Sequence, residues 1–183
     1  MHAPAAGKAS APAASAGDAG DAGDPENAAR VIALRLLDAQ PRTRAELERA
    51  LARRGVPEDA ATAVLDRFAE VGLIDDEAFA QAWVTSRHAG RGLGRRALAS
   101  ELTRRGVPAE TVAVAVSAVS PDDEETAARV LVARRLRTMS GLPAETQIRR
   151  LVGMLARKGF SHGLAMAVVR DAVGSGDPAG AAG

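Results

Sequence analysis

The pentapeptide Arg53-Arg-Gly-Val-Pro57 returns as Arg104-Arg-Gly-Val-Pro108 after 51 residues, and a degenerate third copy, Arg157-Lys-Gly-Phe160, follows 53 residues later. The flanking apolar positions keep the same register. Leu47 corresponds to Leu98 and Leu151, Leu51 to Leu102 and Leu155, and Val56 to Val107 and Phe160. A chance pentapeptide would not carry its neighbours with it, so the chain is an internal repeat of about fifty residues. A repeat of that length is one supersecondary unit, and it hides its apolar face by stacking on its neighbours or on a partner.

The type of unit follows from periodicity. Ala29, Ile32, Ala33, Leu36 and Leu37 recur at helical spacing on one face of a segment that starts near Pro25 and closes at Gln40-Pro41. Thr43-Arg-Ala-Glu46 is a capping box, with Thr43 at the N-cap and Glu46 reaching back to it. The helix it starts carries Leu47, Ala50 and Leu51 and ends at Gly55, in the left-handed position that closes many helices. Pro57 opens a third helix at N1, with Ala61, Val64, Leu65 and Phe68 on its apolar face. Thr111-Val-Ala-Val-Ala-Val116 alternates like a strand, but its repeat counterparts have helical spacing, and Val112, Ala115, Val116 and Val119 fit a helix too. Ser120-Pro-Asp-Asp then starts the last repeat with an N-cap, a proline and first-turn acids.

The expected fold is all-α: three tandem three-helix repeats forming an elongated, curved array. The repeats span 25–73, 74–119 and 120–173, between a disordered Ala/Gly/Asp-rich tail over 1–24 and a flexible tail over 174–183. Aromatics are 2% of the chain, so the cores must be built from Leu, Val, Ile and Ala. Without Cys there is neither a disulfide nor a thiolate site. No run reaches the roughly 20 apolar residues of a membrane span, and a cytoplasmic location fits.

Features that might carry chemistry have plainer readings. Gly90-Arg-Gly-Leu-Gly94 follows a helix and lacks the ending of a phosphate-binding loop, so it reads as a flexible connector. His2, His88 and His162 have no ligand spacing, and His162 reads as a surface residue. Asp75-Asp76-Glu77 and Asp122-Asp123-Glu124-Glu125 stand where helix N-termini attract acids. The expected set of catalytic residues, metal ligands and cofactors is therefore empty, and the chain is read as a binding protein.

Charge carries the remaining information. The total is +1, yet the stretch from Arg87 to Val107 holds Arg87, Arg91, Arg95, Arg96, Arg104 and Arg105 against one acid, Glu101. Further basic clusters lie at Arg134, Arg135 and Arg137, and at Arg149, Arg150, Arg157 and Lys158, while Asp59 to Glu77 is acidic. Arginine forks suit phosphate, although charge runs commonly form solvated helix faces. The shortage of aromatics argues against stacking of single-stranded bases. Trp83, at helical spacing with Phe79, Ala80 and Val84, reads as a core anchor.

Gly72-Leu-Ile-Asp-Asp76, with Phe79-Ala80, Trp83-Val84 and Arg87, and then Gly92, Glu101-Leu102 and Arg105-Gly-Val107, resembles the signature of the RecX family. Arg44-Ala-Glu-Leu47 with Arg54-Gly55, and Ala156-Arg-Lys-Gly-Phe160, echo its outer repeats, and the resemblance covers roughly Ala29 to Val173. Asp75, Asp76, Phe79, Trp83, Arg87 and Gly106 are its signature residues here. The resemblance implies a cytoplasmic regulator that binds the filament of the RecA recombinase on single-stranded DNA. It would restrain strand exchange, ATP hydrolysis and co-protease activity in DNA repair and the SOS response. The basic stripe from Arg87 to Arg105 is the expected partner surface. Contact with the single-stranded DNA backbone is left open, and exposed array ends suit a monomer. The N-terminal tail is extra to the family pattern, and the Tyr common in its repeats is absent. The alternative from another class is a helix-turn-helix-like DNA-binding regulator, which three-helix units also resemble.

Overall fold

Alanines four residues apart let two helices approach closely, and each repeat opens on such a pair or its near equivalent. A computed structural model describes residues 24–175, so the expected tails lie almost entirely outside the described residues. These residues hold nine helices and no strand: α1 (Pro25–Ala39), α2 (Arg44–Ala52), α3 (Glu58–Glu70), α4 (Asp76–Arg91), α5 (Arg95–Arg105), α6 (Ala109–Ser117), α7 (Pro121–Leu136), α8 (Ala144–Arg157) and α9 (His162–Gly174). None is long and apolar enough to cross a membrane.

The helices pack in threes, and each trio has its own core. In the first, Ala29 and Ala33 of α1 meet Leu47 and Leu51 of α2 and Val64, Leu65 and Phe68 of α3. In the second, Ala80 and Val84 meet Leu98, Leu102, Val112 and Ala115. In the third, Ala128 and Val132 meet Leu151, Leu155, Phe160, Val168 and Val169. The register read from the sequence is therefore the register of the cores. Thr111 to Val116 is helical, with Val112 and Ala115 buried and Val114 outside. The capping box is complete, whereas Pro57 sits one position earlier than expected, at the N-cap, with φ −56° and an extended ψ of 143°. Ser120 caps α7 with Pro121 next, and His162 is exposed at the start of α9.

Neighbouring units meet through one joint, built twice. The turn ending the second helix of one unit sits on the N-terminus of the second helix of the unit before. In the first joint the Thr43 hydroxyl, at the N-cap of α2, donates to the Arg105 carbonyl (2.8 Å), and a side chain added at Gly106 would overlap the Ala45 methyl. In the second the Gly94 amide, at the N-cap of α5, donates to the Lys158 carbonyl (2.8 Å) and the Arg96 amide to the Gly159 carbonyl (3.2 Å). An acid from the next unit also takes the first amide of the receiving helix. Asp76 Oδ1 accepts from the Arg44 amide and Glu124 Oε1 from the Arg95 amide, both at 2.9 Å. Helix N-termini hold amides without intrahelical partners, and both joints satisfy them this way.

The third unit cannot receive such a joint. α2 and α5 begin 11 residues before their turn glycines, Gly55 and Gly106, but α8 begins 15 before Gly159. The extra turn turns the receiving site into helix interior, where amides are already used. At the opposite end, Gly55 has nothing within 4 Å of the place a side chain would occupy. Among the described residues no hydrogen bond or ion pair links the first unit to the third, so the units form an open line.

Candidate partner-binding surface

The structure splits the six arginines of the expected stripe. Arg87 and Arg105 clasp the Trp83 ring from positions 4.1 and 3.9 Å from its centroid. Trp83 stacks on Phe79 (centroids 5.7 Å apart) and donates from Nε1 to Glu101 (2.9 Å). Arg105 also pairs with Glu46 of the first unit at 2.7 Å. Trp83 is thus half-buried beside the second core rather than a core anchor, and with Arg105 it supports the first joint. Cation–π contacts of this kind are worth about 1 kcal/mol when partly desolvated. Arg95 is drawn inward too: its guanidinium donates to the Val119 carbonyl and lies 3.8 Å from Glu124. Arg91, Arg96 and Arg104 remain exposed, Arg104 bonding only Ser100.

The family-signature residues gather at the same joint. Asp75 caps α4 by accepting from the Ala78 amide (2.8 Å), and Asp76 holds α2 as described. Burial raises the Asp76 carboxyl above its ordinary range, despite the Arg44 amide that favours its charge. The folded chain therefore carries a charge penalty that is full above the raised value and fades as pH falls through it towards the ordinary one. Asp76→Asn keeps an acceptor without the charge and is expected to be neutral or stabilising at pH 7. Asp76→Ala leaves the Arg44 amide unpaired and should cost about 1 kcal/mol. Denaturant unfolding at pH 7 and pH 4 checks both: the advantage of Asn over wild type should shrink at the lower pH.

Gly90 and Arg91 end α4, so the connector to α5 is only Gly92 to Gly94, and it is packed rather than flexible. Gly92, with φ +57°, closes α4 against Leu131, and Gly94 lies on Gly159. His88 Nδ1 is 2.9 Å from the Leu93 carbonyl and fastens the same loop.

A cluster of cations without an acid partner lies on the third unit, where Lys158 also reaches across the second joint and donates from Nζ to the Arg91 carbonyl (2.6 Å). Packing of α7 on α8 merges the two basic clusters that are separate in sequence. Arg135, Arg149, Arg150 and Arg157 line one groove of about 640 Å³ with Gly153 and Met154. Arg135 and Met154 are shared with a second groove of about 870 Å³, which adds Arg134, Lys158 and, from α4, Arg91. Among the described residues none of these seven side chains pairs with an acid. Position in the sequence could have found part of this face: Arg150 and Arg157 are seven apart, two turns of one helix.

Comparison with known proteins agrees with this architecture. The first, second and third three-helix domains of RecX match residues 29–68, 75–116 and 122–169. Regulatory protein RecX of Thermobifida fusca is 59% identical over 143 residues, covering 78% of this chain and 77% of that protein. Its counterpart in Streptomyces coelicolor is 58% identical over 149 residues, covering 81% and 79%. The crystal structure of RecX from Lactobacillus salivarius superposes with a TM-score of 0.75 at 20% identity, over 81% of this chain and 96% of that one, a likeness of fold.

Proposed function

The chain belongs to the RecX family, and from that premise we propose that it binds the RecA filament on single-stranded DNA and restrains it, as a binding protein without catalysis. The observation that carries this reading is a surface of six arginines without an acid partner, Arg91 on the second unit and Arg134, Arg135, Arg149, Arg150 and Arg157 on the third. An open line of units presents such a surface along a filament, and cations without intramolecular partners are free for phosphate or carboxylate. Arg91 of the predicted stripe belongs to this surface and Arg96 and Arg104 are exposed without lining it, whereas Arg87, Arg95 and Arg105 act by holding the array in shape. We place the protein in the cytoplasm, acting as a monomer.

The test is titration of the full chain into RecA-dependent ATP hydrolysis on single-stranded DNA. Wild type is expected to inhibit. Arg134→Ala combined with Arg135→Ala, Arg149→Ala and Arg150→Ala should raise the inhibitory concentration at least about tenfold, roughly 1.4 kcal/mol. Circular dichroism should not change, because all four are exposed. Arg95 stays intact in this variant, since its guanidinium holds the Val119 carbonyl beside the second joint. Inhibition unaffected by the four substitutions would sink the surface, and no inhibition by wild type would sink the function. Binding of bare single-stranded DNA through about four phosphates would give a salt slope near −3, and a duplex-sequence reader would discriminate between duplexes. A filament binder shows little of either without RecA.

A further inference from the structure

α7 has apolar side chains on two sides. Ala128 and Val132 are buried in the third core, while Val130, two positions from each and so about 200° round the helix, is 62% exposed. Val130 does not stand alone on an open surface. It lines the 870 Å³ groove, where Ala127, Leu131 and Met154 supply an apolar floor and Arg134, Arg135 and Lys158 a cationic rim.

The dimensions restrict what can lie there. The groove follows α7 from Asp123 to Thr138, about 22 Å at the helical rise, or four turns. The groove is open along one side and is not an enclosed cavity that could take in a whole helix about 10 Å across. The occupant therefore lays one edge in the groove and keeps its body outside. Small wall residues, Gly90, Gly92 and Thr126, allow a backbone to come near.

We propose that this groove seats an amphipathic helix of a protein partner, its apolar edge on Val130, Leu131 and Met154 and its flanking carboxylates on Arg91, Arg134 and Arg135. Charge decides the sign of the partner: the rim cations have no intramolecular acid, and Asp123, the groove's only acid, stands at the far end of α7. The floor decides its class. A nucleic-acid strand would bring phosphates over exposed Val130, and the groove has no aromatic side chain on which bases could stack. Met suits an apolar edge of varied shape. Helix-in-groove recognition has this form, with anchors at i, i+3 or i+4, and i+7. The proposal deepens the filament-binding reading and rests on it for the identity of the protein that supplies the helix.

The test uses the full chain and two labelled probes without RecA. One is a synthetic helix of about 18 residues with Leu at i, i+3 and i+7 and Glu on both flanks; the other is oligothymidylate. Wild type should bind the peptide saturably by fluorescence anisotropy. Val130→Asp, and separately Arg134→Glu with Arg135→Glu, should each weaken it about tenfold or more. Val114→Asp, an equally exposed valine on α6, should not. Thr126→Asp, also exposed in the groove, repeats the test should Val130→Asp disturb folding. Absence of saturable peptide binding, equal weakening by Val114→Asp, or displacement of the peptide by oligothymidylate would overturn the proposal. Failure here with filament inhibition intact removes the groove alone, while peptide binding without filament inhibition removes the filament reading alone.

Discussion

Gly159→Ala is expected to separate the third unit from the second, with a loss of about 3 kcal/mol, while Gly55→Ala at the same repeat position loses about 1. Both residues have positive φ, +87° and +75°, where a side chain costs roughly 1–2 kcal/mol. The difference lies in what surrounds them. A methyl on Gly159 would overlap the Ala97 amide nitrogen and lie 2.5 Å from the Ala97 Cβ, at the start of α5. Those are backbone and stem atoms of a helix, so they cannot swing aside, and overpacking of this kind adds about 1–3 kcal/mol. Relief comes from opening the joint, with loss of the Gly94 and Arg96 hydrogen bonds to Lys158 and Gly159. Gly94 makes the same point from the other side. Its φ of −76° suits any residue, yet a methyl there would lie 2.7 Å from the Gly159 carbonyl oxygen. Denaturant unfolding should rank Gly159 and Gly106 well below Gly55 in tolerance, and small-angle scattering should show a broader spread of shapes for the first two. Equal losses at Gly55 and Gly159 would mean that the joint contributes nothing.

This contrast also marks where the sequence was readable. Repeated Arg-Arg-Gly-Val-Pro shows that three turns are alike, and the leucines beside it give the core, because burial imposes a period that a linear pattern preserves. The capping box at Thr43 was legible for the same local reason. Which glycine touches a neighbour was not, since Gly55 and Gly106 carry identical flanks and differ only in having a unit in front of them. The arginine stripe failed as a single face on similar grounds. Arg87 and Arg105 are counted together by charge, but they sit on different helices with the Trp83 ring between them. Trp83 is therefore occupied at its faces rather than sealed in a core. The extra turn of α8 was within reach: Pro143, its N-cap, stands four residues further from Gly159 than Thr43 and Gly94, the N-caps of α2 and α5, stand from Gly55 and Gly106. The merging of the α7 and α8 cations needed the packing itself.

Leu151→Ala should unfold the third unit while leaving the first two in place. Leu151 is fully buried at the centre of the third core, among Val132, Leu155, Phe160 and Val168. Removing such a side chain costs about 3 kcal/mol, by lost burial and by the cavity that remains. A unit of about fifty residues has only roughly 2–8 kcal/mol of its own stability. In a globular core the deficit would be spread over the whole chain. Here helix packing stays within each trio, and neighbours touch through a turn and a few polar groups, so the deficit stays local. Thermal unfolding followed by circular dichroism should then show a separate early transition carrying about a third of the helical signal. Tryptophan fluorescence, reporting on Trp83 in the second unit, should follow the later transition. α7 and α8, which carry most of the cationic face, belong to the unit that melts first, so the proposed inhibition should fall with the first transition and not the second. A single coincident transition by both probes would show that the joints couple the units more strongly than their contacts suggest, and the local reading of the array would have to be abandoned.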